Sequence, residues 1–430
     1  MRTERSLGIV VEERGRAATV DVAIIGGGVI GLSCAESLLE RGRSVRLLEK
    51  GTLGCGSSWA NCGLVTPSHA PPLAQPGMTA KALASIFRRD SPFYVKPRLD
   101  PNFLAWGLSF FRHSHRKAAE RGLAAKASIL RLSRQLLGDL IRRERLACEW
   151  DESGLLMVYR TAEEMAAGDT WDDLIAEAGV PCEKIDGAEL ARWEPALVDG
   201  LAGARFYPTD AMLRPDRLVA ELARLVAELG GEVEEGTEVH GLSGEKGGEV
   251  ELTTSKGKVR ARTVIVATGA WSPRFSRQLG LAVPVQPGKG YTVTAGRPAG
   301  SPRYPLLFEG VKVAVTPWPS GFRVGSTMEF AGYDTTLNRV RLDALWRGAR
   351  QYLKDCDAPG EKVEWYGWRP MTPDDLPLLG PVPGLANVYL AAGHNMLGVS
   401  MATATGEILA SMICREDPPI DTTPYHPLRF

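Results

Sequence analysis

The stretch Val20-Asp21-Val22-Ala23-Ile24-Ile25-Gly26-Gly27-Gly28-Val29-Ile30-Gly31 leaves this chain few ways to fold. Its apolar, largely β-branched start reads as a buried strand, and the apolar spacing from Gly31 to Arg41 reads as an amphipathic helix. Gly42 stops that helix, and Ser44 to Glu49 reads as a second strand. The glycines at the junction have separate tasks. Gly26 permits the tight turn, Gly28 lets a ligand approach bare backbone, and Gly31 lets helix and strand close on each other. The helix start offers unpaired N–H groups and a partial positive charge, which suit a phosphate. Glu49 ends the second strand, where a carboxylate accepts hydrogen bonds from ribose hydroxyls and repels a 2′-phosphate. A lone G-x-G-x-x-G carries little weight, but here the strand, helix, second strand and terminal acid supply its context. The competing reading is a structural glycine turn with an exposed Glu49. The pattern predicts a dinucleotide site in a β-α-β unit.

Composition removes other classes. The 51 basic and 51 acidic side chains cancel, so no overall field for nucleic acid is expected. With 430 residues, 44% of them apolar, the chain buries a large core in two or three domains. Seven cysteines include no C-x-x-C pair, and Cys55 and Cys62 have no histidine at a zinc spacing. Neither a disulfide framework nor a metal site is expected, and the usage suits the reducing cytoplasm. Residues 1–18 read as a polar leader whose apolar run is too short for a secretory signal. No run reaches the ~18 apolar residues of a membrane span.

Further along, the Pro-rich stretch 67–77 marks a boundary. Helices are expected at 78–89, 101–115, 118–147, 214–230 and 337–353, with alternating strands over 283–330. Three segments fit one long cofactor. They are the small-residue loop Gly54–Gly63 with Ser57 and Ser58, the strand ending at Gly269, and the strand, turn and helix through Gly393 and Gly398. Their convergence favours FAD over NAD. Among the histidines, His69, His113 and His115 lie in no motif and read as surface residues.

The motifs Val22–Glu49, Gly56-Ser57-Ser58, Val264–Ser272, Gly367–Gly380 and Ala392–Ile408 resemble the FAD-dependent amino-acid oxidoreductases of the D-amino-acid oxidase superfamily. Asn61–Pro67, Pro71–Met78, Ser91–Tyr94 and Trp106 are most similar to the bacterial D-amino acid dehydrogenases in that group. The resemblance implies an α/β fold. A discontinuous Rossmann-like FAD domain (19–72, 206–280 and 373–430) would carry an α+β substrate domain (73–205 and 281–372) on a mostly antiparallel sheet. It implies that Arg369, in Gly367-Trp368-Arg369-Pro370-Met371-Thr372, holds a substrate carboxylate; the alternative is a salt bridge to Asp374 or Asp375. Tyr291 would hydrogen-bond substrate from a strand facing the flavin, or be a half-buried strand aromatic. His394 would act as base, or shape the turn against the flavin. No cysteine lies near Arg369–Asp374, so the FAD is expected to be non-covalent. The implied reaction is oxidative deamination of an amino acid, with electrons leaving to a quinone or a protein carrier. The basic, apolar stretch 78–89 and the aromatic residues of 103–111 would rest on a membrane surface or form a lid.

Overall fold

The computed structural model describes residues 19–78, 91–244 and 248–430; the leader and most of the helix expected at 78–89 lie outside them. Two sheets face each other across one large cavity. The first has eight strands. Its parallel centre comprises Val45–Leu48, Val20–Ile25, Gly257–Val266 and Leu385–Ala392. Registers Ile25 with Leu48 and Ile25 with Val266 bring three strand ends level. Gly26, Glu49 and Ala267–Gly269 therefore emerge side by side, at the carboxyl edge where open α/β sheets bind ligands.

Strand alternation divides the burial. Val22 and Ile24 face the helices Val29–Glu40, Pro215–Glu228 and Gly398–Cys414. Ala23 and Ile25 face the opposite layer, with Val250, Leu252 and Phe275. The long helix Arg116–Glu144 packs on both sides of the sequence-based division, its Leu123 and Ala127 joining Leu155, Tyr207 and Leu307 of the second sheet. Its Ile129, Leu130, Leu137 and Ile141 join the nucleotide-side core, and Ser133 Oγ lies 3.0 Å from Thr403 Oγ1. An apolar stripe demands a partner but does not name it.

The second sheet has nine strands and is mostly antiparallel. One face packs Val293, Val315, Val324 and Phe308 against Leu342 and Leu345 of the helix Arg339–Ala349. Following the registers across the other face gives Gly367, Gly290, Thr292, Gly325, Ala314, Leu307, Met157 and Arg205. The centre of that row is built from small residues, so the sheet floor lies low there. Above it opens a cavity of about 1400 Å³ that reaches the carboxyl edge of the first sheet.

Candidate active site

At the nucleotide end, the backbone has no room for side chains. A Cβ on Gly31 would sit 1.9 Å from the Gly26 carbonyl oxygen, and one on Gly26 (φ +111°) would sit 2.5 Å from the Ala267 oxygen. Gly28 is less tight, with Ser58 Oγ at 3.2 Å from the same construction. Ser58 Oγ accepts the Val29 N–H at 3.0 Å, tying the small-residue loop to the helix start. Glu49 accepts the Gly27 N–H at 2.7 Å on one oxygen and the Gly51 N–H at 2.9 Å on the other. Each carboxylate oxygen keeps a further lone pair for a ribose hydroxyl. The bare glycine cradle, the helix amides and this doubly braced carboxylate fit the adenosine diphosphate half of a flavin dinucleotide.

Ser57, Gly269, His394, Gly398 and Arg369 line the same cavity, and Tyr291 borders it through its backbone. Gly393 stands beside it, where its φ of +73° starts the turn. Ser57 Oγ donates to the Trp368 carbonyl. The Gly393-His394-Asn395 turn is stitched to the Arg369 segment. Asn395 N–H donates to Pro370 O at 3.1 Å, its Oδ1 accepts the Thr372 N–H at 2.8 Å, and its Nδ2 donates to Gly393 O at 2.7 Å. Sequence reasoning passed over Asn395. Its left-handed φ of +53° suits Asn better than most residues.

Arg369 is half-buried in the cavity wall. Its Nη1 donates to Thr327 O, a carbonyl turned inward where the strand Gly321–Phe330 bulges at Ser326 and Thr327, both at positive φ. Neither acid that competed for it is available. Asp374 pairs with Arg429 at 2.6 Å, and Asp375 is paired with buried Lys126. Among the described residues no carboxylate pairs with Arg369. Burial pulls its basicity below the ordinary value, with Cys62 opposing.

Tyr291 corrects an expectation. Pairing places Gly290 opposite Gly367, so Gly290 shares the cavity face with Arg369 and Tyr291 points to the other side. Its ring belongs to the core behind the sheet, and its hydroxyl donates to Glu329 at 2.5 Å. The hydroxyl is thus committed away from a substrate. His394 is fully enclosed. Thr405 Oγ1 donates to Met401 O at 2.8 Å, so His394 Nε2, 3.0 Å from that oxygen, is the donor of their bond. Burial lowers its pKa to about 3. A neutral imidazole spent on Thr405 shapes the turn and is a poor base. His69 is not a surface residue either: it lies in the cavity wall, where burial and the cations Lys126 and Lys312 lower its pKa to about 4.

Glu49→Ala is expected to lower FAD retention. The change strands two backbone N–H groups and removes the ribose acceptor, a loss of roughly 3–6 kcal/mol at most. The ratio of flavin to protein absorbance after dialysis measures it; equal retention in both proteins refutes the role.

Comparisons agree with this geometry. A family described as FAD dependent oxidoreductase (DAO) matches residues 21–412. A D-amino acid dehydrogenase of Phenylobacterium zucineum is 34% identical over 415 residues, 94% of this chain and 96% of that protein. One from Paramagnetospirillum magneticum is 33% identical over 399 residues, covering 91% and 94%. Among solved structures, glycine oxidase from Geobacillus kaustophilus superposes with a TM-score of 0.77 at 25% identity, covering 96% of this chain and 99% of that one. L-proline dehydrogenase from P. horikoshii shares the fold, with a TM-score of 0.73 at 22% identity over 96% and 98%. With a glycine cradle at one end of the cavity and the Arg369 guanidinium in its wall, the chain belongs to the DAO family of FAD-dependent oxidoreductases.

Proposed function

We propose that this protein oxidatively deaminates an amino acid, of D configuration or proline-like, and passes the electrons to an acceptor other than oxygen. The observation that carries the substrate class is Arg369, a guanidinium in the cavity wall with no carboxylate partner among the described residues. Desolvating a cation without a counter-ion is costly, and a substrate carboxylate relieves that cost through two parallel bonds to the planar fork. The names of the relatives support the amino-acid reading.

FAD, when bound, supplies the two-electron acceptor for the hydrogen on Cα. Gly26, Gly28, Gly31, Glu49, Ser57 and Ser58 would hold its nucleotide half, and Gly269, Gly393 and Gly398 would border the ring. The first amides of Gly398–Cys414 point their partial positive charge into the cavity, where they stabilise developing negative charge. Arg369 fixes the carboxylate and thereby the direction of the Cα–H bond, so orientation supplies most of the rate. The substrate amine must react neutral, because an ammonium has no lone pair to form the imine. Water then hydrolyses the imine to a 2-oxo acid and ammonia, unless a ring retains it. Cys62 lies in the cavity wall, where burial raises its pKa against the opposing charges of Arg369 and Arg323.

Anaerobic mixing with a panel of D- and L-amino acids, prolines included, should bleach the flavin. Under air, dye reduction should exceed peroxide formation many-fold. Peroxide matching the dye rate assigns an oxidase of glycine or an N-methyl amino acid instead. No bleaching by any member of the panel overturns the amino-acid reading and favours a flavoprotein subunit of a larger complex.

A membrane-facing role for the segment Pro101–His113 is supported by its exposure. Trp106 and Phe110 pack inward against Phe330 and Met371. Leu104, Leu108 and Phe111, at helical spacing, are 61%, 52% and 61% exposed. The basic stretch 79–89 lies outside the described residues. No described helix is long and apolar enough to cross a membrane, so contact would be peripheral. Changing these three residues to serine should at least halve sedimentation with anionic vesicles at low salt; unchanged sedimentation, or none by the parent, removes the membrane role.

A further inference from the structure

The cavity continues past Arg369 along the sheet floor. It crosses Ala314, Leu307 and Met157 and ends at Tyr159 and Tyr207. Arg205 closes that end, neutralised by Asp172 at 3.0 Å and Asp169 at 2.6 Å. The short turn Pro67–His69 runs alongside, and Ala70 packs with Leu307, Ala314 and Tyr207. Apolar Met157, Leu307 and Ala314 floor this arm, and polar side chains including Glu164, Glu309 and Lys312 line it with His69.

His69 is the end of a chain of hydrogen bonds. Asp210, wholly buried, accepts both the backbone N–H of Ser68 at 3.0 Å and its hydroxyl. Ser68 Oγ lies 3.2 Å from His69 Nδ1. These bonds hold the imidazole by Nδ1, and Nε2 has no partner among the described residues. Burial raises the Asp210 carboxyl to about 7. The chain therefore runs in either direction. With Asp210 ionised, Ser68 donates to it, Nδ1–H donates to Ser68, and Nε2 is an acceptor. With Asp210 protonated, the bonds reverse and Nε2–H is a donor.

We infer that His69 Nε2 is a specificity contact for a hydroxyl group on the substrate's side chain. This rests on the amino-acid reading above and names the substrate class within it. A hydroxyl donates and accepts, so it pairs with Nε2 in both directions of the chain. A purely apolar side chain leaves Nε2 stranded, and an unpaired buried polar group is penalised more than the bond itself is worth. An ammonium pairs with one tautomer only and meets the charges of Lys126 and Lys312, which already act on His69. Sites built around a hydrogen bond reject the analogue lacking it far better than apolar pockets reject an added hydroxyl.

The test uses pairs that differ by a hydroxyl: valine and threonine, phenylalanine and tyrosine, proline and 4-hydroxyproline, in every stereoisomer. The readout is the ratio of kcat/KM within each pair, so a general loss of activity cancels. The parent enzyme should favour the hydroxylated member of at least one pair by roughly 10-fold. His69→Leu should bring that ratio to unity or below, and His69→Gln, which keeps a polar terminus, should retain part of it. Should His69→Leu fail to hold flavin, Ser68→Ala serves in its place. It frees Nδ1 and should lower the same ratio. Parent ratios at or below unity in every pair overturn the inference, as does a preference that survives both replacements. Failure of every amino acid to bleach the flavin is a different result, which removes the amino-acid reading itself.

Discussion

Gly290→Ala is expected to cut kcat/KM for amino acids by roughly 30- to 900-fold while leaving FAD content unchanged, the equivalent of about 2–4 kcal/mol of transition-state binding. The residue sits in the strand Gln286–Ala295, paired with Gly367. A Cβ there would stand 2.4 Å from Arg369 Cζ and 2.5 Å from each terminal nitrogen. The guanidinium is the free end of a flexible side chain, so it swings aside and the strand stays put. The substrate carboxylate then loses its oriented fork. Arg369→Lys should reproduce most of the loss, since a lysine keeps the charge without the planar pair of donors. The double variant should be little worse than either single one, because both remove the same interaction. Amines without a carboxylate provide the control, and their rates should change little. Normal amino-acid turnover by Gly290→Ala, or an equal loss for carboxylate-free amines, would sink carboxylate anchoring by Arg369.

The same pair of residues shows what was legible in the chain and what was not. The first unit was readable because its elements are local. The run from Val20, the glycine junction and the apolar spacing after it became the strand Val20–Ile25, the helix Val29–Glu40 and the strand Val45–Leu48. The face of Tyr291 depends on pairing between segments far apart in sequence. A period of two separates the faces of a strand but does not say which one meets the cavity. A signal was present nonetheless. Gly288 and Gly290 alternate with Tyr291, and Gly367 is two residues from Arg369. Glycines on one face of paired strands mark the side where space is reserved, which sends the tyrosine to the other. His69 had no such signal. Its role comes from Asp210 reaching across to Ser68, a contact between distant loops that no spacing rule anticipates. The docking of Arg116–Glu144 on the nucleotide-side core was hidden in the same way.

Gly31→Ala should prove the most damaging single-methyl change at the nucleotide end, abolishing FAD retention and lowering the melting temperature. The atom its Cβ would meet at 1.9 Å is the Gly26 carbonyl oxygen, part of the backbone and not the end of a side chain. Relief requires the helix Val29–Glu40 to lift from the strand Val20–Ile25. That helix is packed on Gly398–Cys414 so closely that a Cβ on Gly406 would lie 2.4 Å from the Ser33 oxygen. There is little slack on either side, and overpacking of this kind costs about 1–3 kcal/mol or more. Any lift also carries the first helix amides away from the position where they would hold a phosphate. Gly269→Ala separates this effect from ordinary backbone strain. Gly269 has a φ of +53° and open space where its Cβ would go, so alanine there incurs only the left-handed penalty of about 1–2 kcal/mol. Flavin absorbance after dialysis and thermal melts of both variants should rank Gly31→Ala well below Gly269→Ala. If Gly31→Ala keeps a full complement of FAD at the parent's melting temperature, the close approach of helix to strand is not what builds the cofactor site.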